Sequence, residues 1–243
     1  MSRSAMECWD CVRADPGGTS GGASSDAGGM DTCTPGQRLL SNEILNARDL
    51  GGTVLGDGRT VACGQIYRGA VIANLSADGC AAFGGLGIRT VVDLRMPSER
   101  ASVPEAACVS GQAGIVLAPM PIPYSVSPAD YIADLDTTDS VRIAFAAFGD
   151  PGGYPTYFHC TYGRDRSGVL AAVLLLALGA TRAAVMAEYE LSMAGGAGAY
   201  PDSLRAVLDE IERRGGVEAY LASAGVSGNE LAAVRVRLIS GNR

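Results

Sequence analysis

The chain has 243 residues, 47% of them hydrophobic and 19% charged, and its formal net charge is −7. This length suits one sizeable α/β domain with a tail, and the acidic balance argues against a nucleic-acid partner. No apolar stretch reaches about eighteen residues without a glycine or a charge, so neither a transmembrane helix nor a membrane partner is expected.

The first part of the chain has the composition of a tail. Residues 1–37 are rich in Gly, Ser, Asp and Thr and poor in periodic apolar positions, so we predict a flexible segment there and a folded domain over 38–243. Cys8 and Cys11 have the spacing of a metal or redox pair, but no second pair and no nearby histidine completes a zinc site. A chance motif is the favoured interpretation, and no metal is expected.

The cysteines and the chain start bear on the cellular compartment. Seven cysteines are an odd number, spread thinly through a chain that is large enough to fold without disulfides. The start also lacks a basic region followed by an apolar core, which is the pattern of a standard export signal. We therefore predict free thiols in a reducing cytoplasm.

Short apolar runs and turn residues predict four strands and one helix before residue 123. The strands are expected over residues 46–52, 61–69, 88–94 and 115–122. Ser76 has the side chain and the setting of an N-cap, which predicts a short helix after it.

The strand over 88–94 is rich in β-branched residues, as is typical of a strand buried in a central sheet. Asp93 and Arg95 therefore stand at the edge where α/β sheets usually bind ligands. An ion pair between Arg95 and Glu99 is the favoured interpretation of the residues that follow.

An acidic segment covers residues 124–140. It contains four aspartates, namely Asp130, Asp134, Asp136 and Asp139. An aspartate on a mobile segment can serve as a general acid for a site elsewhere in the chain, although acidic residues on a solvated helix are common.

The stretch from Tyr157 to Gly168 reads as a short strand, a tight loop and the start of an apolar helix. Backbone N–H groups of the loop can turn inward and, with the first turn of the helix, make a nest for an anion. Arg166, six positions after Cys160, can return across the loop and hold two phosphoryl oxygens with its planar guanidinium. The same donors stabilise a thiolate, so Cys160 is a candidate nucleophile.

The remaining loop positions are predicted to bind phosphate or to shape the loop. They are Thr161, Tyr162, Gly163, Arg164, Ser167 and Gly168. Ser167 is placed to donate a hydrogen bond to the cysteine sulfur, and Gly163 permits the backbone turn. The helix after the loop is expected to begin at Arg166 or Ser167 and to continue to Leu178. Further helices are expected over residues 181–192, 203–214, 217–224 and 229–239, with one more over 141–148 before the loop.

The motif His-Cys-x-x-Gly-x-Asp-Arg-Ser-Gly at 159–168 resembles the signature loop of the atypical bacterial tyrosine phosphatases, a family of cysteine-dependent phosphatases. Further blocks that resemble this family stand at 46–52, 67–69, 93–100, 188–192 and 216–227, so the resemblance runs from about residue 39 to the end. It implies an α/β, tyrosine-phosphatase-like fold, with a central mostly parallel sheet flanked by helices and a helical C-terminal part.

The resemblance also assigns roles to individual residues. It would place Arg48, Asp49 and Arg68 near the catalytic face, while a buried ion pair that fixes a hairpin is an equal alternative. Asp165 matches the motif and is the first choice for the general acid, ahead of the four upstream aspartates. Residues 195–200 are near the place where relatives carry a lid, and a plain linker is the alternative.

His159 is the only histidine, and its side chain should point to the opposite face of the strand from Cys160. We therefore expect His159 to brace the loop and not to act as a base. The resemblance implies hydrolysis of phosphate monoesters through a cysteinyl-phosphate, without a cofactor, on phosphotyrosine or a small molecule such as a nucleotide or inositide. A sulfurtransferase or arsenate-reductase-like enzyme and a phosphate-binding module without turnover are the alternatives.

Overall fold

The computed structural model describes residues 33–36, 39, 43–121 and 125–241. The motif of Cys8 and Cys11 and almost all of the predicted tail over 1–37 lie outside these residues. The predicted domain boundary at residue 38 therefore stays a prediction.

The described part of the chain contains a five-stranded sheet with the order β1-β2-β5-β3-β4. Its strands are β1 (Arg48–Asp49), β2 (Ile66–Gly69), β3 (Thr90–Asp93), β4 (Gly114–Leu117) and β5 (Thr156–His159). Only the pair β1 and β2 is antiparallel, and the three other pairs are parallel. The predicted α/β fold with a mostly parallel sheet is therefore confirmed.

The register aligns the carboxyl ends of the inner strands. Gly69 of β2 and Asp93 of β3 both stand level with His159 of β5. All four residues of β2 and of β5 are buried, as expected for parallel strands that are covered on both faces. The residues that follow β2, β3 and β5 consequently meet at one edge of the sheet.

The strands are shorter than the sequence predicted. The residues between β1 and β2 leave the ladder and make only isolated bridges, such as the one between Val54 and Thr60. β4 ends at Leu117 because the prolines that follow lack the N–H group that a ladder needs.

Ten α-helices and one 3₁₀ turn complete the described fold. They are α1 (Ala77–Gly85), α2 (Pro97–Ser102), α3 (Ala107–Ser110), α4 (Pro128–Ala133), the 3₁₀ turn Asp134–Asp136, α5 (Thr138–Gly149), α6 (Arg166–Leu178), α7 (Arg182–Ala194), α8 (Pro201–Arg213), α9 (Val217–Ser223) and α10 (Gly228–Leu238). Ser76 caps α1 by accepting a hydrogen bond from the Gly79 N–H, as predicted. The short helices α2 to α4 were not predicted, because a helix of four to six residues is too short to show a helical period of apolar residues in the sequence.

Helix α6 is the centre of the core. It is apolar on every side, so it must be covered all round, and all but one of its residues are buried. The helices of the C-terminal part pack around it, while Tyr67, Phe83 and Tyr157 belong to a smaller core on the other face of the sheet. None of the helices described has the length and apolar character needed to cross a membrane.

Two disulfides correct the prediction of free thiols. Cys33 is bonded to Cys63 and Cys80 to Cys108, with Cα atoms 5.9 Å apart in each pair. Among the cysteines that the structure describes, only Cys160 has a free thiol. The paired residues are 30 and 28 positions apart in sequence, so only the folded chain brings them together.

These disulfides should contribute measurably to stability. We expect a double variant, Cys80→Ala with Cys108→Ala, to lower the free energy of unfolding by about 3 kcal/mol, since the unfolded chain gains freedom when a loop of this size is opened. Urea unfolding with and without a reductant measures the effect. The reductant should lower the midpoint of the double variant further, because it would cleave the remaining disulfide between Cys33 and Cys63. An unchanged wild-type midpoint under reductant would show that the bonds do not form.

Candidate active site

The predicted loop lies at the carboxyl edge of the sheet. Cys160 directly follows β5, and Arg166 is the first residue of α6. Both side chains are deep in the protein, with Cys160 only 1% exposed. The loop between them therefore rests on the N-terminus of the central helix, where the free N–H groups and the helix dipole favour an anion.

The loop carbonyl groups are fastened away from its interior. Arg68 donates from Nη2 to the carbonyl oxygens of Gly163 at 2.9 Å and Arg164 at 3.3 Å. Asn46 donates to the Gly163 oxygen at 2.7 Å, and the Val71 N–H donates to the Thr161 oxygen at 3.4 Å. In contrast, no acceptor among the described residues bonds to the backbone N–H groups of residues 161–165. The loop is therefore a cup of unsatisfied donors.

Gly163 is required by both conformation and space. Its φ of +66° is in the left-handed region, and a Cβ atom there would lie 2.2 Å from the Gly69 carbonyl carbon. No other residue fits without moving β2 or the loop. Gly168 has a related role, because a Cβ atom there would lie 2.9 Å from the Tyr189 ring.

Two side chains next to Cys160 contact its sulfur and its carbonyl group. The Ser167 hydroxyl lies 3.5 Å from the cysteine sulfur, within reach of a weak hydrogen bond. His159 Nδ1 is 3.1 Å from the Cys160 carbonyl oxygen, so the imidazole holds the backbone at the base of the loop.

Glu99 holds Arg166, and the predicted pair of Arg95 with Glu99 was wrong. The two Nη atoms of Arg166 each lie 2.7 Å from a Glu99 oxygen. Burial raises the pKa of Glu99, but hydrogen bonds from Arg166 and Thr161 outweigh it and lower the pKa to about 2. Arg166 Nε has no hydrogen-bond partner in the described structure, so this donor remains for a ligand.

Arg95 instead belongs to a buried cluster behind the loop. It bonds to both carboxylate oxygens of Asp93 and to Glu105, at 2.6 to 3.0 Å. Asp93, Glu105 and His159 offer ligand atoms within 4.8 Å of one another, a geometry that could suit a metal. The Arg95 guanidinium bonds to both carboxylates, however, and already supplies a positive charge to this cluster.

Arg48 and Arg68 share one carboxylate on α7. Glu188 accepts from Arg48 Nε and Arg68 Nη1, both at 2.7 Å, and all three side chains are buried. Both alternatives for the arginines thus hold in part, since they form a buried ion-pair network and Arg68 also grips the loop. Asp49 is not in this network, because its carboxylate accepts from the N–H groups of Gly51 and Gly64.

Asp165 is fully engaged by its neighbours. Arg164 donates to both of its oxygens, at 2.8 and 3.0 Å, and the Tyr131 hydroxyl donates to Oδ1. Arg164 also donates to the Ala197 carbonyl oxygen and lies over the Tyr200 ring, 4.6 Å from its centroid. The segment over 195–200 therefore contacts the loop through Arg164.

The four upstream aspartates have different surroundings. Asp130 accepts from Ser125 and Ser127 at the start of α4, and Asp136 pairs with Arg214. Asp139 is exposed and 3.6 Å from Arg142. Asp134 alone of the four is buried.

A cavity of about 290 Å³ opens beside the loop at Thr161. Its walls come from the residues after β2 and from α2, and they are Val71, Arg95, Ser98, Glu99, Ser102, Val103 and Thr161. Val103 is 43% exposed, and Tyr162 on the loop is 55% exposed. The surroundings of the loop therefore offer apolar surface.

These features define a class of protein. An α/β domain whose central strand delivers a cysteine to a cup of backbone donors, closed by an arginine six residues further on, is built as a cysteine-dependent phosphate site. The family model described as the tyrosine phosphatase family matches residues 39–240, which is most of the chain. The chain therefore belongs to the tyrosine phosphatase family, and the resemblance inferred from its signature loop is confirmed.

Individual relatives were also found. A protein of Cupriavidus necator, whose name assigns it provisionally to the tyrosine-protein phosphatases, is 36% identical over 169 residues. The match covers 62% of this chain and 61% of that protein, so it spans less than two thirds of the relative's length.

Two solved structures resemble the fold. TpbA of P. aeruginosa in complex with phosphotyrosine has 19% identity and a TM-score of 0.39, over 70% of this chain and 91% of that chain. The core catalytic domain of the PP-IP phosphatase SIW14 of S. cerevisiae has 16% identity and a TM-score of 0.38, over 69% and 91%.

Proposed function

We propose that this protein hydrolyses phosphate monoesters through a phosphorylated Cys160. The observation that supports this most strongly is the hydrogen bonding of the loop, in which Arg68, Asn46 and Val71 bind carbonyl oxygens while the N–H groups of residues 161–165 lack acceptors among the described residues. Donors held in this way are matched to the oxygens of a phosphoryl group and need no rearrangement when a ligand binds.

In the proposed reaction, the Cys160 thiolate attacks phosphorus in line with the leaving oxygen. The loop N–H groups and Arg166 Nε stabilise the equatorial oxygens as charge develops on them. Ser167, at 3.5 Å, stabilises the sulfur when water later displaces it from phosphorus. Glu99 keeps Arg166 in place by holding the opposite edge of the guanidinium.

We propose an aryl monoester such as phosphotyrosine as the substrate class. The arginines around the loop already have partners in the protein, and they are Arg48, Arg68, Arg95, Arg164 and Arg166. A ligand with several phosphates would have to break these pairs, whereas a single phosphate needs only the loop. The cavity beside Thr161 and the exposed Tyr162 ring supply apolar contact for the leaving group.

Dithiol chemistry of the arsenate-reductase kind is not favoured by the cysteines. A second thiol would have to reach the loop, but every other cysteine that the structure describes is in a disulfide. The same bonds bear on the compartment, since disulfides persist mainly in oxidising surroundings. We accordingly place the reaction in an oxidising compartment, in place of the cytoplasm predicted from the sequence.

Phosphate release by the wild-type protein tests this proposal. A phosphotyrosine peptide should be hydrolysed with a kcat/KM at least about tenfold above that for an inositol polyphosphate or a nucleoside monophosphate, which corresponds to roughly 1.4 kcal/mol of transition-state binding. The matched peptide with phosphoserine keeps the charge and lacks the ring, so it serves as the control. Faster release from the inositol polyphosphate would overturn the substrate class, and no release from any ester would overturn the activity.

A further inference from the structure

We propose that Asp134 is the general acid of this site and that Asp165, the aspartate within the signature motif, is a positioning residue. This inference deepens the proposed function and rests on it. It assigns the proton transfer to a side chain of the 3₁₀ turn Asp134–Asp136 and not to the loop itself.

Asp134 is a buried carboxyl group with one oxygen that has no hydrogen-bond partner among the described residues. Its side chain is 3% exposed, yet its Oδ2 atom has no hydrogen-bond partner among the described residues. Buried carboxylate oxygens are normally satisfied, and an exception calls for a reason. The 3₁₀ turn packs against α6, and Asp134 interacts electrostatically with Arg166, which also interacts with Cys160. The unpartnered oxygen therefore belongs to a segment that packs against the helix whose first residue is Arg166.

Asp165 is poorly suited to donate a proton. Both of its oxygens accept hydrogen bonds, from Arg164 and from the Tyr131 hydroxyl. A carboxylic acid proton on Asp165 would have to displace one of these donors. Tyr131 lies one helical turn before Asp134, so the bond from Tyr131 to Asp165 ties the segment with the acid to the loop. Asp165 thereby orients Asp134 without touching the substrate.

The protonation state of Asp134 suits an acid near neutral pH. Burial raises the pKa of Asp134 to about 7, and the charge of Arg166 offsets only part of this rise. The other charged or titratable groups that face it are Asp165 at the start of α6, Asp130 of α4 and Tyr220 of α9. Below this pKa the side chain carries the proton that a leaving group needs, and above it the proton is lost.

The two proposed steps conserve protons and bonds over one catalytic cycle. In the first step the bond from the Cys160 sulfur to phosphorus forms, the bond from phosphorus to the leaving oxygen breaks, and the Asp134 proton moves to that oxygen. In the second step the Asp134 carboxylate takes a proton from water, whose oxygen bonds to phosphorus as the sulfur leaves as a thiolate. Hydrogen phosphate is released, and both side chains return to their starting forms.

Leaving-group dependence tests this assignment. We expect Asp134→Asn to lower kcat for phenyl phosphate by about 10²-fold or more, but kcat for 4-nitrophenyl phosphate by less than about tenfold, because nitrophenolate leaves without a proton. With phenyl phosphate, the wild-type rate should fall as pH rises above about 7, and the variant should lack this fall. Asp165→Asn should slow both esters by one common factor and keep the fall.

Asp136→Asn is the matched control, because this residue is two positions away, exposed and paired with Arg214, and its rates should equal wild type. Equal losses on both esters in Asp134→Asn, or a selective loss in Asp165→Asn, would overturn the assignment while the proposed function stands. A wild-type protein that hydrolyses neither ester would refute the proposed function itself. The wild-type pH profile needs no variant, so a rate on phenyl phosphate that does not fall above neutral pH also counts against Asp134.

Discussion

Replacement of Cys160 by serine is expected to slow phosphate release from an aryl monoester by a factor on the order of 10⁴ or more. A serine hydroxyl is not ionised near neutral pH, and its hydrogen-bond partner at the sulfur position is the Ser167 hydroxyl at 3.5 Å, which is not a base. Steady-state release of phosphate from 4-nitrophenyl phosphate measures the loss.

Binding should survive this substitution. The loop N–H groups and Arg166 are untouched, so titration calorimetry with inorganic phosphate should give wild-type affinity within a few fold. Acid quenching during turnover should trap phosphate on the wild-type protein and not on Cys160→Ser. A variant that keeps its activity would remove Cys160 as the nucleophile, and a wild-type protein that binds phosphate without releasing it from any ester would be a recognition module.

Replacement of Glu188 by alanine is expected to lower the free energy of unfolding by about 3 to 5 kcal/mol. It would leave the guanidinium groups of Arg48 and Arg68 buried without their shared carboxylate, whose oxygens lie 2.7 Å from Arg48 Nε and from Arg68 Nη1. Arg68 would also lose its fixed position against the loop, so kcat/KM should fall together with stability. Urea unfolding and steady-state hydrolysis measure the two effects.

The pH dependence and a neighbouring residue provide controls for Glu188→Ala. Burial raises the pKa of Glu188, but the charges of Arg48 and Arg68 outweigh it and hold the pKa below its usual value. The stability difference from wild type should therefore persist in mild acid and shrink only below about pH 4, the ordinary range of a glutamate. Glu190→Ala, on the exposed side of α7, should change stability by less than about 0.5 kcal/mol. Equal effects of the two substitutions would refute the role of the buried network.

The sequence predicted those features that depend on neighbours in the chain. A β-forming run, a cysteine, a glycine and an arginine followed by an apolar stretch specify β5, the loop and α6, because each residue acts within one turn of the next. The cap at Ser76 could be predicted for the same reason. The mostly parallel sheet was implied by the resemblance and not by the strand pattern, and the strand order and register were not predicted.

The contacts that complete the site join distant parts of the chain, and local patterns carry no signal for them. Glu99 and Arg166 are 67 positions apart, and Arg48 and Glu188 are 140 apart. Each carboxylate had a plausible nearer partner, so Glu99 was assigned to Arg95. Asp134 could not be distinguished from the other three aspartates until the fold buried it and left them at the surface. An unsatisfied buried oxygen is a property of packing, which a sequence pattern does not report.

The two disulfides have a practical consequence for the nucleophile. Within the described part of the chain, they leave the Cys160 sulfur as the single thiol that an alkylating reagent could modify. In a variant with Cys8 and Cys11 replaced by serine, a stoichiometric thiol label applied without reductant would thus count the molecules that carry an intact nucleophile. Among the described residues, no second thiol could form a disulfide with an oxidised Cys160, so peroxide should inactivate this protein without rescue by such a bond there.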